Sequence, residues 1–486
     1  MLLSLLAIGL ASSQPSIQPE RPNVVIILAD DIGYGDLSCY GATKVKTPNL
    51  DSIAKNGVRF TDAHSAATVC TPTRYSLMTG EYSFRKPGGA GILSGVAPSA
   101  IAKDQPTMPK MFQAAGYRTG VVGKWHLGLG EGRTDYNKLI TLGPKEVGFD
   151  ESFVIPATGD RVPCVFVENG RVAGYDPADP IELNYQKKIG DEPAGLERPE
   201  LLKIKPVQGH LGTVINGVSR IGFMTGGKKA RWVDEDIADT LTSKAVGFIK
   251  SNKSKPFFLY LATHDVHAPL LPNPRFNGKS QCGLRGDTIS ELDWTVGEVL
   301  KALKDAKVDK NTIVIFSSDN GAVDQDGYED PRENLNGHKV NGALRGTKYE
   351  LYEGGHRVPL LVSWPAQTAR GKTSAAMVTQ TDFFASFGKI LGVNLPSGAN
   401  LDSRDTSEAF FKLGRNGRES VVHHLGGFNS PLAYREGDFV LVPKGKGWEL
   451  FNLAKDLGQK TDLAASMPEK VEAMKEKLYS IAPPKA

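Results

Sequence analysis

The sequence predicts an α/β protein with a large mixed, mainly parallel central sheet flanked by helices and a small C-terminal α+β subdomain. Three observations carry this expectation. Four apolar, β-branched runs of strand length each release into a polar cluster. Helical periodicity fills the stretches between them, and near the C-terminus the rhythm changes to short strands and a closing helix. At 486 residues the chain exceeds what one core usually supports. The expected division is therefore a catalytic-sized domain over 23–396 and a subdomain over 397–486.

In chain order, the apolar stretch Met1 to Leu10 ends in Ala11-Ser12-Ser13-Gln14 and reads as a secretory signal peptide over 1–13, followed by a linker over 14–22. It is too short to span a bilayer comfortably, and no other segment reaches that length. Export to a periplasmic or extracellular location, with no membrane span, is the expectation. Asn23 to Ala29 is a continuous buried-strand pattern ending in Asp30-Asp31. Thr119 to Val122 leads into Gly123-Lys124-Trp125-His126, Pro256 to Ala262 delivers Thr263-His264-Asp265-Val266-His267, and Thr312 to Ser318 ends in Asp319-Asn320. Helical spacing is found over 49–56, 108–115, 234–250, 287–305 and 382–390. The stretch from Val165 to Lys229, rich in Gly, Pro and charge, reads as a long excursion able to shape a cleft. Short strands follow at 420–424 and 439–442, then a helix from Pro468 to Ile481.

In open α/β sheets ligands bind beyond the carboxyl ends of the strands, so the polar clusters there mark a site. Asp30, Asp31, Asp319 and Asn320 offer oxygen ligands suited to a hard divalent cation such as Ca²⁺, provided their strands are neighbours. Asp-Asp and Asp-Asn-Gly also serve as ordinary turn residues. The formal charge of +4 is too mild to argue for a nucleic-acid partner, although local basic groups can still hold an anionic substrate.

The run Cys70-Thr71-Pro72-Thr73-Arg74, with Leu77-Met78-Thr79-Gly80 after it, resembles the signature by which a formylglycine-generating enzyme recognises a cysteine to be oxidised. Around it, in matching order, stand Asp30-Asp31, Gly123 to Gly128, Val266-His267-Ala268-Pro269, Ser318 to Gly321, Leu344 to Lys348, Glu353 to Pro359 and Trp448 to Leu453. Along nearly all its length after the leader the chain resembles a type I sulfatase of the alkaline phosphatase superfamily. That resemblance implies an alkaline phosphatase-like fold and sulfate-ester hydrolysis. Asp30, Asp31, Asp319, Asn320 and the formylglycine made from Cys70 would ligate Ca²⁺, and Arg74 would steady the hydrate. Lys124 and Lys348 would hold sulfate oxygens. One hydroxyl of the hydrate would attack sulfur, with Asp319 assisting its deprotonation, and His267 would protonate the departing alcohol. His126 would then take a proton from the second hydroxyl, so that a covalent sulfate is expelled and the aldehyde restored. With Cys70 consumed, Cys39, Cys164 and Cys282 allow one disulfide, expected between Cys164 and Cys282.

The chain departs from the family pattern in Ala157-Thr158-Gly159-Asp160, where a serine and a histidine often stand; Thr158 can replace the serine, but no histidine is present. His264 is either a substrate contact or a capped loop residue. Carbohydrate substrates need many polar contacts, and Thr158, Asp160, Arg161, His210, Arg231, Trp232 and His264 are the candidate binding residues, with His423-His424 also able to face the cleft. A sulfated saccharide carrying galactose or N-acetylgalactosamine units is the expected substrate. The alternatives are a phosphonate or phosphate-diester hydrolase of the same superfamily and a non-catalytic glycan-binding protein.

Overall fold

The computed structural model describes residues 21–86, 91–207, 209–329, 332–395, 402–413, 417–427 and 429–483. The leader over 1–13, nearly all of the linker over 14–22, and the boundary at 396/397 lie outside the described residues.

A ten-stranded sheet runs through the larger part of the chain. From one edge its strands are Lys372–Ser374, Val58–Phe60, Leu360–Ser363, Thr312–Ser318, Asn23–Ala29, Phe257–Ala262, Arg118–Lys124, Glu151–Ile155, Val167–Glu168 and Arg171–Val172. The five strands from Thr312–Ser318 to Glu151–Ile155 are mutually parallel, and antiparallel pairs flank them. These central strands are buried along almost their whole length, which is why they read as unbroken apolar runs rather than as alternations.

Helices Pro48–Lys55, Met108–Ala114, Ile237–Asn252, Gly283–Asp305 and Phe383–Leu391 cover the sheet. Asp234–Asp236 forms a separate 3₁₀ turn before the third of these, and the fourth begins at Gly283, upstream of the expected start. Phe112 stacks on Phe258 at 4.2 Å and so ties one helix to the sheet centre.

The C-terminal part is a four-stranded antiparallel sheet, Ser420–His424, Leu432–Glu436, Phe439–Lys444 and Gly447–Asn452, closed by the helix Pro468–Ile481. Met474 and Leu478 of that helix pack with Val422, Leu441 and Leu450. The subdomain grips the larger part where it matters: the Thr68 N–H, two residues before Cys70, donates to the His424 carbonyl at 3.0 Å.

Two expectations are corrected. All four cysteines are free, so Cys164 and Cys282 are not paired; Cys164 sits beside the Arg161 carbonyl, while Cys282 is wedged against Gly286 at a helix start. His423 and His424 do not face a cleft. Both are fully buried, His423 stacked on His356 at 3.5 Å and His424 edge-on to Phe84.

Candidate active site

Strand order brings the sequence-predicted residues together. Ala29 pairs with Ser318, so Asp30-Asp31 and Asp319-Asn320 leave adjacent strand ends; Ala262 pairs with Gly123, which sets Lys124 one strand further along. Cys70 opens the helix Cys70–Thr79, and every residue of that helix is buried. Its N-terminal N–H groups give position 70 the end of a helix dipole that favours an anion.

The centre is a lattice of opposite charges. Lys124 Nζ donates to Asp30 Oδ2 at 2.6 Å and Lys348 Nζ to Asp31 Oδ2 at 2.8 Å. Arg74 donates to Asp319 Oδ2 through Nε at 3.0 Å and Nη2 at 2.7 Å, and its Nη1 reaches the Lys124 carbonyl at 3.0 Å. Asn320 Nδ2 donates to Asp31 Oδ1 at 2.6 Å. Three carboxylates thus balance three cationic side chains, all of them buried. Burial alone would raise the Asp31 pKa, but Lys348, His267 and Lys124 outweigh it and hold the carboxyl well below its ordinary value. Burial and the neighbouring Asp30 charge push Asp319 up.

Two buried oxygens in this lattice, Asp30 Oδ1 and Asn320 Oδ1, have no hydrogen-bond partner. Unsatisfied buried acceptors are costly, and a hard cation takes such oxygens. Asp30, Asp31 and His267 also bring one ligand atom each within 4.8 Å of one another. The donor set therefore fits a divalent metal ion. A second group, His64, His356 and His423, does not: the His356 and His423 rings lie face to face at 9°, so their in-plane lone pairs run parallel instead of converging.

His126 follows its strand in a left-handed conformation, with Nε2 at 2.9 Å from the Leu93 carbonyl and Nδ1 unpartnered. Burial, Lys124 and Arg161 press its pKa well below the usual histidine value, so it is neutral, and with Nε2 donating to the Leu93 carbonyl its unpartnered Nδ1 carries the lone pair. His267 Nε2 lies 3.9 Å from Asp31 Oδ2, and its Nδ1 is 2.8 Å from the Ala268 carbonyl, which fixes that nitrogen as the N–H and leaves Nε2 facing the carboxylate cluster. Burial pushes the Cys70 thiol up, so the unmodified side chain is a poor nucleophile.

Part of the candidate sugar side assembles next to this centre. Thr158 donates to Asp160, Arg161 Nη1 donates to Thr158 Oγ1 at 2.8 Å and Asp160 Oδ1 at 3.0 Å, and His210 Nε2 donates to Asp160 Oδ2 at 2.9 Å. Burial opposes ionisation of Asp160, but Arg161, His210 and His267 hold it well below the ordinary carboxyl value. His264 fills the space beside Gly159: a Cβ there would meet its ring at 2.3 Å. An imidazole from the strand end at 262–264 thus stands where a side chain at position 159 would be. Burial and His267 lower the His264 pKa to about 3.

Arg231 and Trp232 do not join this group. Arg231 pairs with Glu192 at 2.8 Å and bonds the Gly226 carbonyl, and Trp232 is buried in the main core against Phe166. Both serve the internal packing of the excursion, which needs an apolar anchor and a local ion pair to hold a segment with little regular structure. Sequence reasoning does not find Asp326, which lies 3.0 Å from Lys348 Nζ, or Gly327, which seats His210. An Asp-Gly pair in a polar loop carries no signal that separates this role from a turn.

Comparison with known proteins places these features in context. A protein-family model described as Sulfatase matches residues 22–393. The chain is 48% identical over 480 residues to the N-acetylgalactosamine-6-O-sulfatase of Bacteroides thetaiotaomicron, covering 95% of this chain and 93% of that protein. It is 32% identical over 458 residues to the steryl-sulfatase of Mus musculus, covering 87% of this chain and 70% of that protein. A solved structure described under metabolism of multiple glycosaminoglycans by Bacteroides thetaiotaomicron superposes with a TM-score of 0.92 at 47% identity, over 95% of this chain and 99% of that one.

Proposed function

The chain belongs to the sulfatase family and is a hydrolase of sulfate esters, and we propose that it acts on sulfated saccharides bearing N-acetylgalactosamine or galactose units, with the 6-sulfate of N-acetylgalactosamine as the first substrate to test. The observation that carries this reading is the Thr158–Asp160–Arg161–His210 network beside the charged centre, in which Thr158, Asp160 and His210 are buried. A polar group of fixed geometry next to the reacting ester suits the reading of a sugar hydroxyl, which an apolar leaving group does not offer. Its support from outside is the 48% identity to an N-acetylgalactosamine-6-O-sulfatase. The relatives also include a steryl-sulfatase, so family membership alone does not choose the leaving group.

In this reading Asp30, Asp31, Asp319 and Asn320, together with the side chain at position 70, would hold Ca²⁺, which would supply charge neutralisation for the sulfuryl oxygens. Formylglycine at position 70 would supply a hydrated aldehyde as nucleophile. Arg74 holds Asp319 in place through two hydrogen bonds. Lys124 would turn from Asp30, and Lys348 from Asp31, to sulfuryl oxygens when a substrate enters. His267, carrying a proton on Nε2 as well as the Nδ1–H held by the Ala268 carbonyl, would give the Nε2 proton to the leaving alcohol oxygen, and the neutral His126 would accept the proton released when sulfate departs.

The division at 396/397, the 1–13 leader and export to the periplasm or cell exterior belong to the same proposal. Among the described residues no helix is long and apolar enough to cross a membrane. Maturation calls for a formylglycine-generating enzyme as transient partner. The test is sulfate release from saccharides sulfated at single positions. Release confined to 6-sulfated N-acetylgalactosamine or galactose units supports the proposal, and release from steryl or simple aryl esters alone refutes the saccharide assignment.

A further inference from the structure

We infer that Asp326 is a positioning residue of the sulfate subsite, holding Lys348 within reach of a sulfuryl oxygen while weakening its grip on the free anion. The inference rests on the reading of Lys348 as a sulfate-oxygen donor. Lys348 Nζ makes two hydrogen bonds, to Asp31 Oδ2 at 2.8 Å and to Asp326 Oδ2 at 3.0 Å. An ammonium has three donors, so one remains for a ligand. Asp31 is a carboxylate that a bound cation would draw to itself; Asp326 stands outside that oxygen set and stays with the lysine. The Lys348 side chain is 1% exposed and that of Asp326 is 20% exposed, which makes Asp326 the outer member of the pair.

Its own placement is fixed from both sides. The Tyr349 hydroxyl donates to Asp326 Oδ2 at 3.4 Å, and the Tyr349 N–H donates to the carbonyl of Thr68, two residues before Cys70, at 3.1 Å. On the other side the Val207 N–H donates to the Gly327 carbonyl at 3.0 Å, and the Tyr328 hydroxyl donates to the Ser219 carbonyl at 2.9 Å. Gly327 adopts φ +76°, and a Cβ there would lie 2.3 Å from the His210 ring. Three consecutive residues therefore connect the anion-binding lysine to the histidine that bonds Asp160, so a shift of one is felt by the other.

A carboxylate in this place acts in two ways that substitutions separate. Asp326→Asn keeps an oxygen acceptor for Lys348 and removes the competing charge, whereas Asp326→Ala removes both. The experiment is calorimetric titration of the metal-loaded full chain with sodium sulfate at constant ionic strength, with thermal unfolding of both variants as the check on folding. Asp326→Asn is expected to bind sulfate about three- to fivefold more tightly, and Asp326→Ala to bind it more weakly than the parent by a similar factor. On a sulfate ester, Asp326→Asn lowers KM and kcat together because the product is held longer, while Asp326→Ala raises KM. Unchanged sulfate affinity in both variants, or the same direction of change in both, overturns the inference while leaving the sulfatase reading intact. Failure of the metal-loaded parent itself to bind sulfate removes Lys348 as a donor and overturns the inference with it.

Discussion

Lys124 Nζ lies 2.6 Å from Asp30 Oδ2, and neither side chain has any exposure to solvent. The two residues leave strands that are separated by only one other, Phe257–Ala262. Burying an ion pair costs several kcal/mol per ion in desolvation, and a well-packed apolar pair often serves stability as well. This pair, repeated in Lys348–Asp31 and Arg74–Asp319, makes sense as a site assembled in advance: the carboxylates are ready for a cation and the cationic groups for an anion.

Replacing the residue at position 70 tests the nucleophile. Cys70→Ala is expected to lower kcat by at least about a thousandfold on any sulfate ester, since removing one member of a group acting as a unit costs nearly all of its effect. The variant should retain its fold by circular dichroism, and residual turnover within tenfold of the parent would exclude Cys70 from the chemistry.

Metal dependence follows from the orphaned oxygens of Asp30 and Asn320. Chelation is expected to abolish turnover and lower the thermal midpoint, and Ca²⁺ at a hundred times its Kd should restore about 2.7 kcal/mol of stability. Differential scanning calorimetry with and without the ion reads this directly.

Leaving-group dependence separates His267 from the rest. A proton donor to the departing oxygen contributes roughly a hundred- to ten-thousandfold. His267→Ala should lose that much on a sugar sulfate and far less on an aryl sulfate whose phenolate leaves unaided. Equal losses on both substrates would assign His267 another role.

These three predictions rest on residues that are legible in the amino-acid sequence itself. The strand at 23–29 ends where its apolar run ends and that at 312–318 two serines later, and the polar residues after them converge because parallel strands deliver their carboxyl ends to one rim. What the sequence hides has physical reasons. The helix Cys70–Thr79 is buried on every side and so shows no periodicity. Strand Val58–Phe60 is too short to register, and Leu432–Glu436 has only three apolar residues before Arg435, which is drawn inward by Asp62 at 2.7 Å. Trp232 has the residue type of a recognition contact, yet nothing local tells a core tryptophan from a cleft one.

Stability toward acid has an identified contributor at the seam with the C-terminal sheet. Burial opposes ionisation of Glu353, but Arg435, His64 and Arg357 lower its pKa from 4.5 to about 2. A depressed carboxyl contributes stability above its unfolded value and loses it as the pH falls from about 4.5 through about 2. Glu353→Gln is therefore expected to cost on the order of 3 kcal/mol at pH 7 and to flatten the pH dependence over that interval. Urea unfolding at pH 7 and pH 3 measures both effects.

The most direct test of the account pairs peptide mass spectrometry across Cys70 with sulfate release from 6-sulfated N-acetylgalactosamine, on metal-loaded protein from a host that installs formylglycine. The account predicts an aldehyde at position 70 and sulfate release that scales with its occupancy. An aldehyde at full occupancy without sulfate release from any sulfated saccharide, or release by protein whose Cys70 is wholly unmodified, would contradict it.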